Sequence, residues 1–345
     1  MKATWKILGV ALALAAGAAQ AQAPQVLNLY SARHYQTDEA LYADFTKTTG
    51  IRINRIEAGD EALLERLRSE GARSPADVVL LVDAARLWRA QTEGLFQPVK
   101  SKVLEQRIPE HLRAQDEGKG SEWFAFSTRA RVIVYNKAQV DPALVRSYQD
   151  LADPRLKGKV CTRSGAHPYM LSLIGALSEH LGEAKTEQWA RGVVANFARP
   201  PRGGDTDQIK AVASGECGVA LTNTYYLVRL MRSDNPADRD VVSKVGMIWP
   251  NQDSTGVHVN VSGGGVARNA PNREAAVRFL EYLASDSAQR YFADGNNEWP
   301  VVATAAGANP RLQALGEFKA DKTPVAAIGR AQITAAKIID RVGWR

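Results

Sequence analysis

The stretch Trp123-Phe124-Ala125-Phe126-Ser127-Thr128-Arg129-Ala130-Arg131-Val132-Ile133-Val134-Tyr135-Asn136 constrains the fold most. It is rich in aromatic and β-branched residues and contains neither Gly nor Pro, which is the composition of a strand. It is far longer than the usual strand of about 5–6 residues, so it can leave one lobe and enter another. What precedes it alternates strand and helix. Val26–Tyr30 alternates apolar and polar residues, Asp38–Thr48 follows as a helix, and Ile51–Ile56 alternates again. A helix from Asp60 to Glu70 ends at Gly71, and Ala76–Leu81 reads as a buried parallel strand that stops at Asp83. Such alternation predicts a largely parallel sheet covered by helices.

A second α/β series follows the long run. Strands are expected at Lys159–Thr162, Gly218–Leu221 and Lys244–Trp249, with helices over Tyr169–Leu181, Lys185–Asn196, Asp205–Ser214 and Thr224–Met231. Thr255–Val261 reads as a strand crossing back, followed by Ser262-Gly263-Gly264-Gly265 and an amphipathic helix from Asn272 to Ala284. Two α/β lobes with mixed sheets joined by two hinge crossings make a clamshell whose cleft holds a ligand. The divisions are 24–126 continued by 258–301 for the first lobe, and 127–257 continued by 302–345 for the second.

The N-terminus has Lys2 and Lys6, the apolar run Ile7–Ala19 and the small-residue pattern Ala19-Gln20-Ala21. That order predicts a cleavable signal peptide over residues 1–21 and export to the periplasm. Ala21-Gln22-Ala23 is a second possible cleavage triplet, but it would place Pro24 at the new N-terminus. The run is shorter than the roughly 20 residues of a spanning helix. Removing Lys2 and Lys6 lowers the formal charge from +7 to +5. That excess is spread along the chain without a dense basic block, so no nucleic-acid partner is expected. Two cysteines, Cys161 and Cys217, read first as a disulfide in an oxidising compartment. Two buried thiols are the alternative, and their spacing matches no metal finger.

Tyrosines stand where ligand-facing residues of an open α/β sheet stand, after strands. Tyr35 follows His34 in the first loop, Tyr169 follows Ser164–Pro168, and Tyr225 and Tyr226 are adjacent after Thr222-Asn223-Thr224. Phenolate is a hard anionic donor that suits a hard trivalent ion. With a reference pKa near 10, a phenol gives up its proton at neutral pH only to a strongly charged metal. Four phenolates around Fe3+ would carry a net charge of −1, which a nearby arginine offsets. Arg129 and Arg131 are two apart on the crossing strand and share a face. Each feature also has a plain structural reading: a tyrosine before a helix is commonly a core or rim residue. His167 reads as a loop residue, His258 as a surface or hinge residue, and Tyr30, Tyr42 and Tyr135 as structural. Residue chemistry alone leads to a ligand-binding clamshell.

Taken in order, several motifs make the chain similar to the periplasmic ferric-iron-binding proteins of ABC importers, a bacterial transferrin-like group of the type 2 periplasmic binding fold. They are Tyr30-Ser31-Ala32-Arg33-His34-Tyr35, Ser74-Pro75-Ala76-Asp77-Val78 with Asp83-Ala84-Ala85-Arg86-Leu87, and Arg129–Asn136. Arg163-Ser164-Gly165 leading to Tyr169, Asn223-Thr224-Tyr225-Tyr226 and Gly295–Val301 complete the set. The resemblance implies Fe3+ as the transported ligand, held by Tyr35, Tyr169, Tyr225, Tyr226 and His34. It also implies that Arg129 steadies the tyrosinates or holds a synergistic anion such as carbonate, with Arg131 beside it. Another branch of the family uses histidine, a carboxylate, two tyrosines and phosphate. Asp83 resembles that carboxylate but is one methylene shorter, which favours the tyrosine-rich branch. The implied partners of the monomer are an inner-membrane permease and its ATPase.

Two other classes compete. One is a clamshell for an oxyanion or small organic solute gripped by arginines and tyrosines. The other is an enzyme, against which no nucleophile elbow, HExxH, phosphate loop or paired-acid motif appears.

Overall fold

The computed structural model describes residues 25–33, 36–305, 307 and 309–345. The expected signal peptide and the pair His34-Tyr35 lie outside the described residues. The first series runs β1 (Val26–Ser31), α1 (Asp38–Thr49), β2 (Arg52–Glu57), α2 (Asp60–Glu70), β3 (Val78–Leu81), α3 (Ala84–Thr92), β4 (Phe96–Gln97) and α4 (Lys102–Arg107). Local chemistry sets these bounds. Helix α1 stops at Gly50, whose φ of 73° is left-handed, a backbone state that glycine adopts without a Cβ penalty. Helix α3 starts where the Asp83 carboxylate accepts the Ala85 N–H at 2.9 Å, an N-cap.

The second series contains β5 (Phe124–Asn136), β6 (Val160–Cys161), α5 (Pro168–Leu181), α6 (Glu183–Ala195), α7 (Asp205–Ser214), β7 (Val219–Asn223), α8 (Thr224–Met231), α9 (Pro236–Lys244) and β8 (Val245–Ile248). The chain then returns through β9 (Val259–Ala267), α10 (Arg273–Leu283), α11 (Asp286–Arg290), β10 (Trp299–Pro300), α12 (Pro310–Gln313) and α13 (Val325–Val342).

Strand order is β2-β1-β3-β9-β5-β7-β6, with β10 and β8 also paired to β5 and β4 to β9. The long run forms the expected crossing strand. From Phe124 to Ala130, β5 pairs antiparallel with β9; from Arg131 to Tyr135 it pairs antiparallel with β7. Strands β1, β2 and β3 are mutually parallel, as are β6 and β7. Each half of β5 thus serves a different sheet, and β9 is the return crossing.

One strand boundary differs from the sequence reading. The glycine run lies inside β9, not after a strand ending at Val261. Strand β9 is wedged between β3 and β5. A Cβ at Gly264 would come within 2.3 Å of the Val79 carbonyl oxygen, and one at Gly263 within 2.4 Å of that of Phe124. Glycine is what lets three backbones approach there.

Two large apolar clusters form the cores. The first gathers Leu27, Leu29, Phe45, Val78, Phe124, Phe279 and Phe292; the second gathers Val132, Leu173, Ile174, Trp189, Val219 and Trp344. Helix α13 belongs to both: Val325 and Ile328 enter the first cluster, Ala335, Ile338 and Ile339 the second. Cys161 and Cys217 form the expected disulfide, with Cα atoms 5.9 Å apart, tying the end of β6 to the approach to β7. Among the described residues, no helix is long and apolar enough to cross a membrane.

Candidate functional site

Three of the four expected tyrosines are described, and the fold brings them together. Tyr169 occupies the first turn of α5, and Tyr225 and Tyr226 the first turn of α8. Tyr169 Oη lies 3.1 Å from Tyr225 Oη, and the Tyr226 ring packs on that of Tyr225, 4.1 Å away at 31°. Tyr225 is 2 % exposed. Burial raises the Tyr169 phenol above its ordinary value, an effect that the nearby Arg129 partly opposes. That phenol therefore holds its proton until a strong cation displaces it.

His167 is not a free loop residue. It N-caps α5, with Nδ1 accepting the Tyr169 N–H at 3.2 Å and its ring 4.6 Å from the Tyr169 ring. Burial, reinforced by Arg163 and Arg131, drives its pKa down to about 3, so the imidazole is neutral and serves as an acceptor. His258 is not a surface residue: it is buried just before β9, and desolvation likewise lowers its pKa. Tyr30, read as structural, bonds Glu70 at 2.9 Å, and Tyr42 is buried.

Both arginines of the crossing strand are 1 % exposed but diverge in role. Arg129 points to the first lobe's side of the hinge. Its Nη1 donates to Ser262 Oγ at 2.7 Å, its Nη2 donates to the Val82 carbonyl, and Glu298 lies 3.7 Å away. Its guanidinium also stands over the Tyr169 ring, 5.3 Å from the centroid. Arg131 turns into the second lobe, where Nη1 meets Asp205 at 2.5 Å and Asn223 Oδ1 at 3.1 Å.

Sequence reasoning gave no role to two cations at the site. Arg163 lies 5.1 Å from the Tyr169 centroid, and Arg229 lies 5.9 Å and 5.4 Å from those of Tyr225 and Tyr226. Arg229 was findable: it follows Tyr225 by four residues and Tyr226 by three on one helix, a spacing that shares a face. Cations over ring faces are attracted to the π-cloud, and they lower the electrostatic penalty of turning the phenols into phenolates.

Asp83, which resembles the family carboxylate, is fully committed elsewhere. Beyond capping α3, it accepts from Ser172 Oγ and Asn260 Nδ2, both at 2.8 Å, and from Gln332 Nε2 at 3.3 Å. It joins α3, α5, β9 and α13 across the lobe boundary.

A cleft of about 410 Å3 opens beside Tyr169, lined by Ser31, Glu57, Asp60 and Asp83 from the first lobe and by His167 and Tyr169 from the second. The expected ligands His34 and Tyr35 are outside the described residues. Their described neighbours are tied down: Arg33 pairs with Asp38 at 2.9 Å and with Glu298 at 3.4 Å. Among the described residues, no cluster of His, Cys, Asp and Glu offers a competing metal site.

Comparison with known proteins gives the family and the fold. The family model described as bacterial extracellular solute-binding protein matches residues 40–320. Iron uptake protein A1 of Synechocystis sp. is 50 % identical over 93 % of this chain and 88 % of its own. A Trichodesmium protein solved in complex with iron and citrate ligands superposes with a TM-score of 0.88 at 52 % identity, covering 93 % of this chain and 100 % of that one. The ferric binding protein from Campylobacter jejuni gives 0.86 at 40 % identity, covering 92 % and 100 %. The two-lobe α/β clamshell expected from sequence is thus the type 2 periplasmic fold of the ferric-binding proteins. The chain belongs to the bacterial extracellular solute-binding proteins, in the branch of the iron uptake and ferric-binding proteins.

Proposed function

We propose that this protein is the periplasmic binding component of an iron ABC importer and carries Fe3+ as cargo, held by Tyr169, Tyr225 and Tyr226 of the second lobe and by Tyr35 with His34 of the first. The observation that carries the reading is the 3.1 Å approach of the Tyr169 and Tyr225 hydroxyls with Tyr226 stacked beside them. Clustered phenols, with Tyr225 buried among them, suit a hard trivalent cation and few other solutes. The iron uptake names of the relatives support the same cargo. Capture is a binding event with no bond made or broken in a substrate, so the protein acts as a carrier and not as an enzyme. The leader at residues 1–21 directs it to the periplasm. There it works as a monomer and delivers iron to an inner-membrane permease and its ATPase.

Arg129 steadies the tyrosinates: Ser262 and the Val82 carbonyl hold its guanidinium in place while it stands over the Tyr169 ring. Iron enters on the second-lobe tyrosines, and closure adds the first-lobe ligands. Loading with a ferric salt and recording the visible spectrum tests the reading. A phenolate-to-iron charge-transfer band is expected, and it should disappear when Tyr225→Phe and Tyr226→Phe are combined. A colourless loaded protein would overturn the assignment.

A further inference from the structure

Asp205 is completely buried, is not a tyrosine neighbour in sequence, touches the start of α8 directly and reaches the segment before α5 through Arg163. Its Oδ2 accepts the Asn223 N–H at 2.8 Å and faces Arg131 Nη1 at 2.5 Å, while Oδ1 faces Arg163 Nη1 at 3.3 Å. Asn223 is the N-cap of α8, yet its side chain makes no capping bond. An N-cap asparagine ordinarily turns its side-chain oxygen to the first-turn N–H groups. Here that oxygen accepts from Arg131 instead, so the start of the Tyr225-Tyr226 turn is fixed from outside, through its backbone, by Asp205. On the other side, Arg163 stands over the Tyr169 ring, and Arg131 Nη2 lies 3.3 Å from the sulfur of Met170, the residue after Tyr169.

We propose that Asp205 is the positioning residue of the metal site: one buried carboxylate that sets α5 and α8 relative to each other and balances the two guanidiniums beneath the tyrosines. This rests on the ferric reading of the site given above. The chemistry follows from the charges. An isolated buried carboxylate is strongly unfavourable, whereas one between two arginines is compensated, and the pairing leaves one net positive charge under a site that becomes anionic when loaded. Outer-shell partners that orient ligands in this way typically change metal affinity by about 10–100-fold when removed.

The test compares Asp205→Asn, Asp205→Ala and the charge-balanced pair Asp205→Asn with Arg131→Gln, each loaded with ferric salt. Asparagine keeps an acceptor for the Asn223 N–H but loses the charge, and alanine loses both. The charge-balanced pair keeps the cluster's net charge and removes the fully buried Arg131 along with its carboxylate, leaving only the partly exposed Arg163 to lose its partner, so it guards against a variant that fails to fold. Expected are a shifted and weakened charge-transfer band and faster iron loss to a competing chelator, with affinity down by about 10–100-fold and alanine the more severe. Asp207→Asn serves as the control on the same helix, because Asp207 caps α7 through the Gly204 N–H without reaching the tyrosines. It should lower thermal stability and leave the band unchanged. A folded Asp205→Asn protein, or a folded charge-balanced pair, with the wild-type band and wild-type retention overturns the role of Asp205. If the wild-type protein itself gives no band, the ferric reading falls instead.

Discussion

The Tyr169 and Tyr225 hydroxyl oxygens are hydrogen-bonding partners at 3.1 Å, although one residue opens α5 and the other α8. Two phenolates at that separation would repel, so the metal-free site keeps a proton between them. Replacing either residue by phenylalanine removes one donor from the cluster while retaining its ring packing. Tyr169→Phe or Tyr225→Phe should therefore weaken ferric binding by roughly 100-fold or more, at or beyond the upper end of outer-shell effects, with little change in apo stability. Competition against a chelator of known strength, followed by the visible band, measures the loss. Equal iron retention in both variants would remove these tyrosines from the site.

Burial raises the Tyr169 phenol, which fixes the sign of the pH dependence. Each phenol must lose its proton to bind iron, so loading releases protons and affinity falls as pH falls. The raised phenol makes that fall begin from a higher pH than an exposed tyrosine would give. His167 adds no opposing step, because it stays neutral down to about pH 3. Affinity plotted against pH should drop monotonically below neutrality, and Tyr169→Phe should reduce the slope by about one proton. A slope unchanged by that substitution would mean that Tyr169 does not ionise on binding.

Much of this was legible in the chain. The long run around Arg129, the strand-then-tyrosine placements and the pairing of Cys161 with Cys217 all follow from local pattern and compartment. What escaped was decided by tertiary contact. Ser262–Gly265 falls outside the expected strand Thr255–Val261, yet close approach of β3 and β5 places it inside β9. Nothing local in residues 325–342 says that the two ends of α13 serve different cores. Asp205 looks like any acidic residue in a helix's first turn, and only folding brings it to Arg131, Arg163 and Asn223.

Asp83, whose departure from the family carboxylate favours the tyrosine-rich branch, holds a structural position between the lobes. Its carboxylate gathers Ser172, Asn260 and Gln332, so it ties α3 of the first lobe to α5 of the second. Asp83→Ala would strand those donors in a buried setting and remove the α3 cap, at about 1–3 kcal/mol for each unsatisfied group. The expected outcome is a clearly lower denaturation midpoint and a scattering profile shifted towards a more open shape in the metal-free protein. The colour of the loaded protein should persist, because the Asp83 carboxylate is already engaged by the Ala85 N–H, Ser172, Asn260 and Gln332. Loss of the band without loss of stability would return Asp83 to the metal.

The disulfide joins β6 to the approach to β7, next to the two segments that lead to Arg163 and to Tyr225. Cys161 and Cys217 are 56 residues apart in sequence, and in the chain-entropy account a loop of that size is worth about 4 kcal/mol through restriction of the unfolded chain. The native geometry has independent support, since Cys161 pairs with Ala220 in the β6–β7 ladder and both cysteines lie in an apolar cluster. Replacing both cysteines by serine should therefore lower the melting temperature by several degrees while the folded protein still takes up ferric iron with the same band. Thermal scans with and without reductant give the same contrast in the unmodified chain. An unchanged melting temperature in the double variant would show that the bond adds nothing to stability, and a changed band at low temperature would show that it helps to place the tyrosines as well.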